Sequence, residues 1–186
     1  MHRRVLLANF RGADKRVKGC PVKAPTPAPG PSPLPDNALV LLRSERGHDS
    51  ELCGYEFCLS NHVAEWNYTR VGTEGYMPAA SQAAGVARAD LKLYWSSRSH
   101  DNYVTTALDK VPDGFADTGS PVGTVLAEQA HGTVPLFVYF NAARGDHLTC
   151  ASQRSIAYAK ANGYSLVQPQ PIGYVFAAPE WSESMQ

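Results

Sequence analysis

Val138-Tyr139-Phe140-Asn141-Ala142-Ala143-Arg144-Gly145-Asp146-His147 decides the fold, because two earlier stretches align with it without gaps. These are Leu41-Leu42-Arg43-Ser44-Glu45-Arg46-Gly47-His48-Asp49-Ser50 and Leu93-Tyr94-Trp95-Ser96-Ser97-Arg98-Ser99-His100-Asp101-Asn102. Each runs from an apolar strand through a short polar turn to an Asp, seven residues after Leu42, Tyr94 or Tyr139. Each unit then closes on a glycine with apolar or aromatic neighbours: Gly75-Tyr76-Met77, Gly123-Thr124-Val125 and Gly173-Tyr174-Val175-Phe176. The aspartates are spaced 52 and 45 residues apart. Self-similarity at such a period marks a supersecondary unit that cannot bury its apolar face alone.

Inside the units the elements read as short strands. Residues 91–95 and 136–140 are rich in apolar and aromatic side chains, and 102–106 follows the Asp-bearing turn as a second strand. Residues 164–167 alternate with period two, as a half-buried third strand should, and 173–176 make a fourth. Residues 155–163 hold helix formers ending on Asn162-Gly163, so one or two helical turns are expected between strands two and three. Three four-strand units predict an all-β, β-trefoil-like barrel with three pseudo-repeats, since closure removes exposed sheet edges. A three-bladed propeller fits less well, because propellers use about four to eight blades.

Outward from the repeats, the chain divides into a basic arm (1–20), a proline-rich linker (21–37), the repeat domain (38–180) and a short tail (181–186). Pro21, Pro25, Pro27, Pro29, Pro31, Pro33 and Pro35 predict an extended polyproline spacer. Of 17 Lys and Arg, seven fall within residues 1–23 beside a single acid, Asp14. The remainder is therefore mildly acidic, which argues against nucleic acid as a partner. No apolar run approaches the roughly 20 residues of a membrane span. Residues 5–10, after Arg3-Arg4, are too short for a signal-peptide core, so no signal peptide is evident in this chain. Cys53 and Cys58 are spaced for a small local disulfide in an oxidising compartment, or are two buried thiols.

The unit Leu-Tyr-x-Ser/Asn, then Arg-Gly-Asp-His-Leu-Thr at 144–149, then Gly-Tyr-Val-Phe at 173–176, resembles a repeat family of largely unknown function. That family occurs in secreted proteins, often as an accessory module beside peptidases or other hydrolases. The resemblance spans roughly residues 38–178 and is fullest in the third unit. It implies secretion and a β-trefoil similar in architecture to ricin-B-like lectins. It therefore implies a lectin-like, carbohydrate-binding module without catalysis, the alternatives being a fragment accessory to a secreted hydrolase or a protein-interaction module. The Gln-x-Trp signature of the ricin-B lectins is missing, so sugar binding follows from fold analogy.

The three aligned acids carry the candidate chemistry. Asp49, Asp101 and Asp146 are read either as acceptors for the vicinal hydroxyls of a glycan or as turn formers bonding backbone amides. On the binding reading Asn102 and His147 add donors, Asn141 contributes an amide, and Trp95 and Phe140 stack on an apolar sugar face. The third unit is expected to bind best and the first, lacking an aromatic pair, least. His48, His100 and His147 align, but equivalent loop tips are expected about 10 Å or more apart, so no metal and no cofactor is expected. Arg144-Gly145-Asp146 and the Asn67-Tyr68-Thr69 sequon are read as turn chemistry. Motifs for hydrolysis, phosphate cradling or dinucleotide binding are missing, and His147 and Cys150 should not meet on a strand. The arm, with its prolines and basic run, has no apolar face to bury. Limited proteolysis is expected to trim the chain to about Asp36 and leave a resistant core; protection of residues 1–36 overturns this.

Overall fold

The computed structural model describes residues 36–44, 49–54, 58–106 and 111–178. All fall in the compact unit Pro33–Gln186. The expectations for the basic arm, most of the linker and the tail lie outside the described residues, as does the side chain of Cys58 and with it the Cys53–Cys58 pairing.

The described chain is all-β and antiparallel. Ten strands run β1 (Ala38–Ser44), β2 (Ser50–Gly54), β3 (Tyr68–Tyr76), β4 (Arg88–Ser96), β5 (Asp101–Thr106), β6 (Ala116–Leu126), β7 (Thr133–Asn141), β8 (Asp146–Cys150), β9 (Ser165–Leu166) and β10 (Gly173–Phe176). Between β2 and β3 a π-helical turn, Cys58–Val63, leads into a single α-helical turn, α1 (Ala64–Trp66). Between β8 and β9 lies α2 (Gln153–Ala161), capped by the Ser152 hydroxyl.

The three Asp-bearing stretches fold alike. Hairpins β1–β2, β4–β5 and β7–β8 share one register, with Arg43 facing Ser50, Trp95 facing Asn102, and Phe140 facing His147. The residue before the aspartate takes a left-handed conformation in both described turns, at His100 (φ 54°) and Gly145 (φ 67°). That geometry closes the turn, and glycine reaches it without strain. The inner strands β2, β5 and β8 are buried along their whole length and touch one another in every pairing. Their contact makes the centre of the molecule. The main core packs Leu39, Leu42, Leu52, Tyr103, Val125 and Val175 against each other. A second cluster, with Leu41, Tyr139, Leu148 and the free thiol Cys150, lies under α2.

The units differ in their second halves. The first two use one long strand each, β3 and β6, which pair with β1 and β4 through register shifts. In the third, the strand is split: β9 and β10 both pair with β7. Pro169 and Pro171 stand in the gap, and proline cannot continue a ladder. The expected half-buried strand at 164–167 is thus reduced to the two exposed residues of β9, while α2 runs to nine residues.

The closing glycines meet as a ring. A Cβ on Gly75 would lie 2.4 Å from Cγ2 of Val175, and one on Gly173 would lie 2.4 Å from Cγ2 of Val125. A Cβ on Gly123 would strike the Met77 side chain. Each glycine therefore abuts the residue two positions after the glycine of another unit. Gly75→Ala should destabilise the fold by about 1–3 kcal/mol through overpacking against Val175 and the Phe176 carbonyl. Gly72→Ala, in open space, is the control. Equal denaturant midpoints for the two variants would show that the close approach is not a constraint.

Candidate functional site

The inner hairpin strands bring Asp49, Asp101 and Asp146 together, each offering a carboxylate oxygen within 4.8 Å of the others. Each carboxylate binds the residue that follows the aspartate of another hairpin. Asp49 accepts from the Asn102 amide N–H at 3.1 Å and from its Nδ2 at 2.7 Å. Asp101 accepts from the His147 amide N–H at 3.0 Å, and its Oδ2 lies 2.6 Å from His147 Nδ1. Asp146 accepts from the Ser50 amide N–H at 2.8 Å and from its hydroxyl at 3.2 Å. The hydroxyls of Tyr68 and Tyr164 donate to Asp49 and Asp146. The ring is closed and buried, with 5%, 2% and 2% of the three aspartates exposed.

Burial dominates its electrostatics. Desolvation pushes the Asp49 carboxyl up to about 7 and that of Asp146 up to about 6, against the donors that favour the charged form. The neighbouring carboxylates add to the rise. Burial and the facing carboxylates also push the hydroxyls of Tyr68 and Tyr164 up, so both remain donors.

Beside the Asp49 joint opens a cleft of about 540 Å³. Its buried side is formed by Tyr68 and Asn102, the two partners of Asp49. Its walls carry Glu65 and Trp66 from α1, and Leu93 and Trp95 from β4. Trp66 is 60% exposed, the most exposed large apolar side chain among the described residues. Its indole lies 4.7 Å from the imidazole of His62, whose Nδ1 sits 2.6 Å from Glu51 Oε2. Glu51 is buried, which pushes its carboxyl up against the opposing pull of His62. The exposed tryptophan thus rests on an imidazole that is itself held by a buried acid. A second, more open cavity of about 370 Å³ is lined by Asp90, Lys92, Asp117 and Thr124. There Lys92 and Asp117 pair across 3.6 Å.

The candidate residues from the sequence fall in the cleft, in the aspartate ring and in the third hairpin beside that ring. Trp95 and Asn102 line the cleft. Asp49, Asp101 and Asp146 lie in the ring, and the expectation that equivalent positions are about 10 Å or more apart is corrected for them. They cross between hairpins instead of only closing their own turns. His147 is buried between Phe140, Tyr103 and Phe115, with Phe140 at 4.4 Å. Asn141 caps its own turn, accepting from the Arg144 amide and donating to the Asn162 carbonyl. The aspartate of Arg144-Gly145-Asp146 is interior, and Arg144 reaches the Tyr158 hydroxyl. His100 is exposed on its turn, and His48 lies outside the described residues. Cys150 packs in the second cluster, away from the His147 ring. Asn67 of the sequon is exposed at the end of α1.

Sequence reasoning missed Glu51, His62, Glu65, Trp66, Tyr68 and Tyr164. A signal existed for the tyrosines, which follow their aspartates by 19 and 18 residues. No comparable signal pointed to Trp66, which sits outside the aligned stretches. Compared with family models, with curated proteins and with solved structures, the chain matches none.

The ring predicts an unusual pH dependence. A carboxyl raised by folding stabilises the fold below its unfolded pKa, and that contribution is lost as pH rises through the folded value. Unfolding free energy should therefore increase by on the order of 3 kcal/mol from pH 8 to pH 5. Asp49→Asn should remove more than half of this slope. Denaturant titrations at the two pH values decide it, and an unchanged slope in the variant would assign the dependence elsewhere.

Proposed function

We propose that the chain is a secreted, β-trefoil-like carbohydrate-binding module without catalytic activity, and that it holds its saccharide in the cleft between Trp66 and Trp95. The trefoil reading is supported by the common hairpin register and by the two closed rings, one of aspartates and one of glycines, each with one member per unit. The secretion reading rests on the family resemblance of the repeats.

A single observation carries the binding reading. Trp66 stands 60% exposed and supported from beneath, in a cleft that also presents a second indole, a carboxylate and amides. Burial would be the default for so large an apolar surface, and its exposure in a concave site marks a contact surface. Indole faces take the apolar C–H faces of a pyranose ring, while Glu65 and Asn61 suit its hydroxyls. On this reading binding falls at the junction of the first two units rather than in the third. In the third hairpin Asp146, His147 and Asn141 are already engaged with protein partners.

The test is a glycan array on the full chain, followed by titration of the best ligand against two variants. Trp66→Ala should weaken binding about tenfold or more, the worth of an aromatic platform of about 1.5 kcal/mol, with thermal stability unchanged. Asp146→Ala should lower stability by about 2 kcal/mol or more and leave affinity intact where the fold persists. Wild-type affinity in Trp66→Ala, or an array without a bound glycan, would overturn the reading.

A further inference from the structure

We infer that the Trp66–Trp95 cleft selects saccharides bearing a protonated amine, with Glu65 as the residue that sets this preference; the inference rests on the carbohydrate-binding reading above. The argument is one of charge and ring chemistry in the same small space.

Among the described residues that line the cleft there is no lysine or arginine. Its acid is Glu65, exposed beside Trp66 on the same turn of α1. Its base is His62, and the His62 ring lies against the carboxylate of Glu51. The His62 imidazole is held against the buried carboxyl of Glu51, which leaves Glu65 as the exposed acid of the cleft. Asn102 and Tyr68 line the buried side of the cleft with their amide and hydroxyl turned to Asp49, another acid behind them. Among the described residues, the charged side chains behind and beside the site are Glu65, Glu51 and Asp49, with His62 held against Glu51. An anionic sugar would meet Glu65 unpaired.

The two indoles point the same way. A cation over a tryptophan face is attracted by the ring quadrupole, tryptophan being the strongest of the aromatic side chains in this respect. An ammonium group on a pyranose ring therefore meets an attractive aromatic surface and a carboxylate together, while the ring's C–H face still stacks. A neutral N-acetyl group keeps the stacking and loses both charge terms. The preference should accordingly reside in electrostatics and weaken as salt screens it.

The experiment titrates the full chain at pH 6 with a glucosamine tetramer and with its fully N-acetylated counterpart, following tryptophan fluorescence and heat. Wild type is expected to bind the amine form about tenfold more tightly, and the gap should shrink in high salt. Glu65→Gln should lose that tenfold, lowering affinity for the amine form far more than for the acetylated tetramer, and Glu65→Asp should keep most of the preference. Circular dichroism confirms that the exposed substitutions leave the fold unchanged. Equal or tighter binding of the acetylated tetramer overturns the inference and leaves the carbohydrate reading standing. So does an amine preference that survives Glu65→Gln. Binding of neither tetramer, with a glycan array that is also empty, overturns both. Binding of neither, with neutral glycans bound on the array, overturns the amine preference alone.

Discussion

Three buried carboxylates within 4.8 Å of one another are an arrangement that only a full set of hydrogen-bond donors can hold. Burying a single unpaired carboxylate is costly, and three together repel. The arrangement holds because every carboxylate accepts a backbone N–H and a side-chain group from the next hairpin. The donors come in matched pairs: the amide and hydroxyl of Ser50, the amide and Nδ2 of Asn102, the amide and imidazole of His147. Strands β2, β5 and β8 can be buried along their length only because this exchange satisfies their polar ends. The two core clusters, the register of the hairpins and the position of the cleft all follow from where those strands are held.

The glycine ring applies the same logic without charge. At the closing strands there is space for backbone against side chain but none for a Cβ, as the contacts of Gly75 and Gly173 with Val175 and Val125 require. The third contact differs in kind. Gly123 faces the flexible thioether of Met77, where the other two face a branched valine. Methionine adapts to irregular gaps, which suits the one unit whose closing motif departs from the pattern of its neighbours. Elsewhere a single acid does comparable work across units: Glu74 of β3 accepts from the amides of Ala151 and Ser152 and from the Ser155 hydroxyl, holding the start of α2.

The alignment of Asp49, Asp101 and Asp146 was legible in the sequence, and so were β4, β5, β7 and β10, because alternation, β-branching and a shared turn are local properties. What the aspartates bind was not legible. Their partners come from hairpins 46 to 96 residues away, and spacing along one strand says nothing of which distant strand packs against it. The same reason explains why the repetition of the aspartates suits both a ligand-acceptor and a turn-forming reading, and why their bonds across hairpins were not foreseen. Trp95 and Asn102 were legible as site candidates through their place beside Asp101. Trp66 and His62 were not, because they lie in the irregular segment between β2 and β3, where no periodicity marks a face. The split of β9 from β10 was foreshadowed by Pro169 and Pro171, whose effect is local again.

The bond from the Ser50 amide to Asp146 joins residues 96 apart, the longest separation in the ring. On a ribosome the first hairpin is made long before its acceptor exists. During that interval the amide and hydroxyl of Ser50 lack the carboxylate they are shaped for, and β2 lacks one of the two strands it packs between. Loop-closure entropy of this size slows formation of the link as well as postponing it. The ring can therefore close only once the third hairpin has been made.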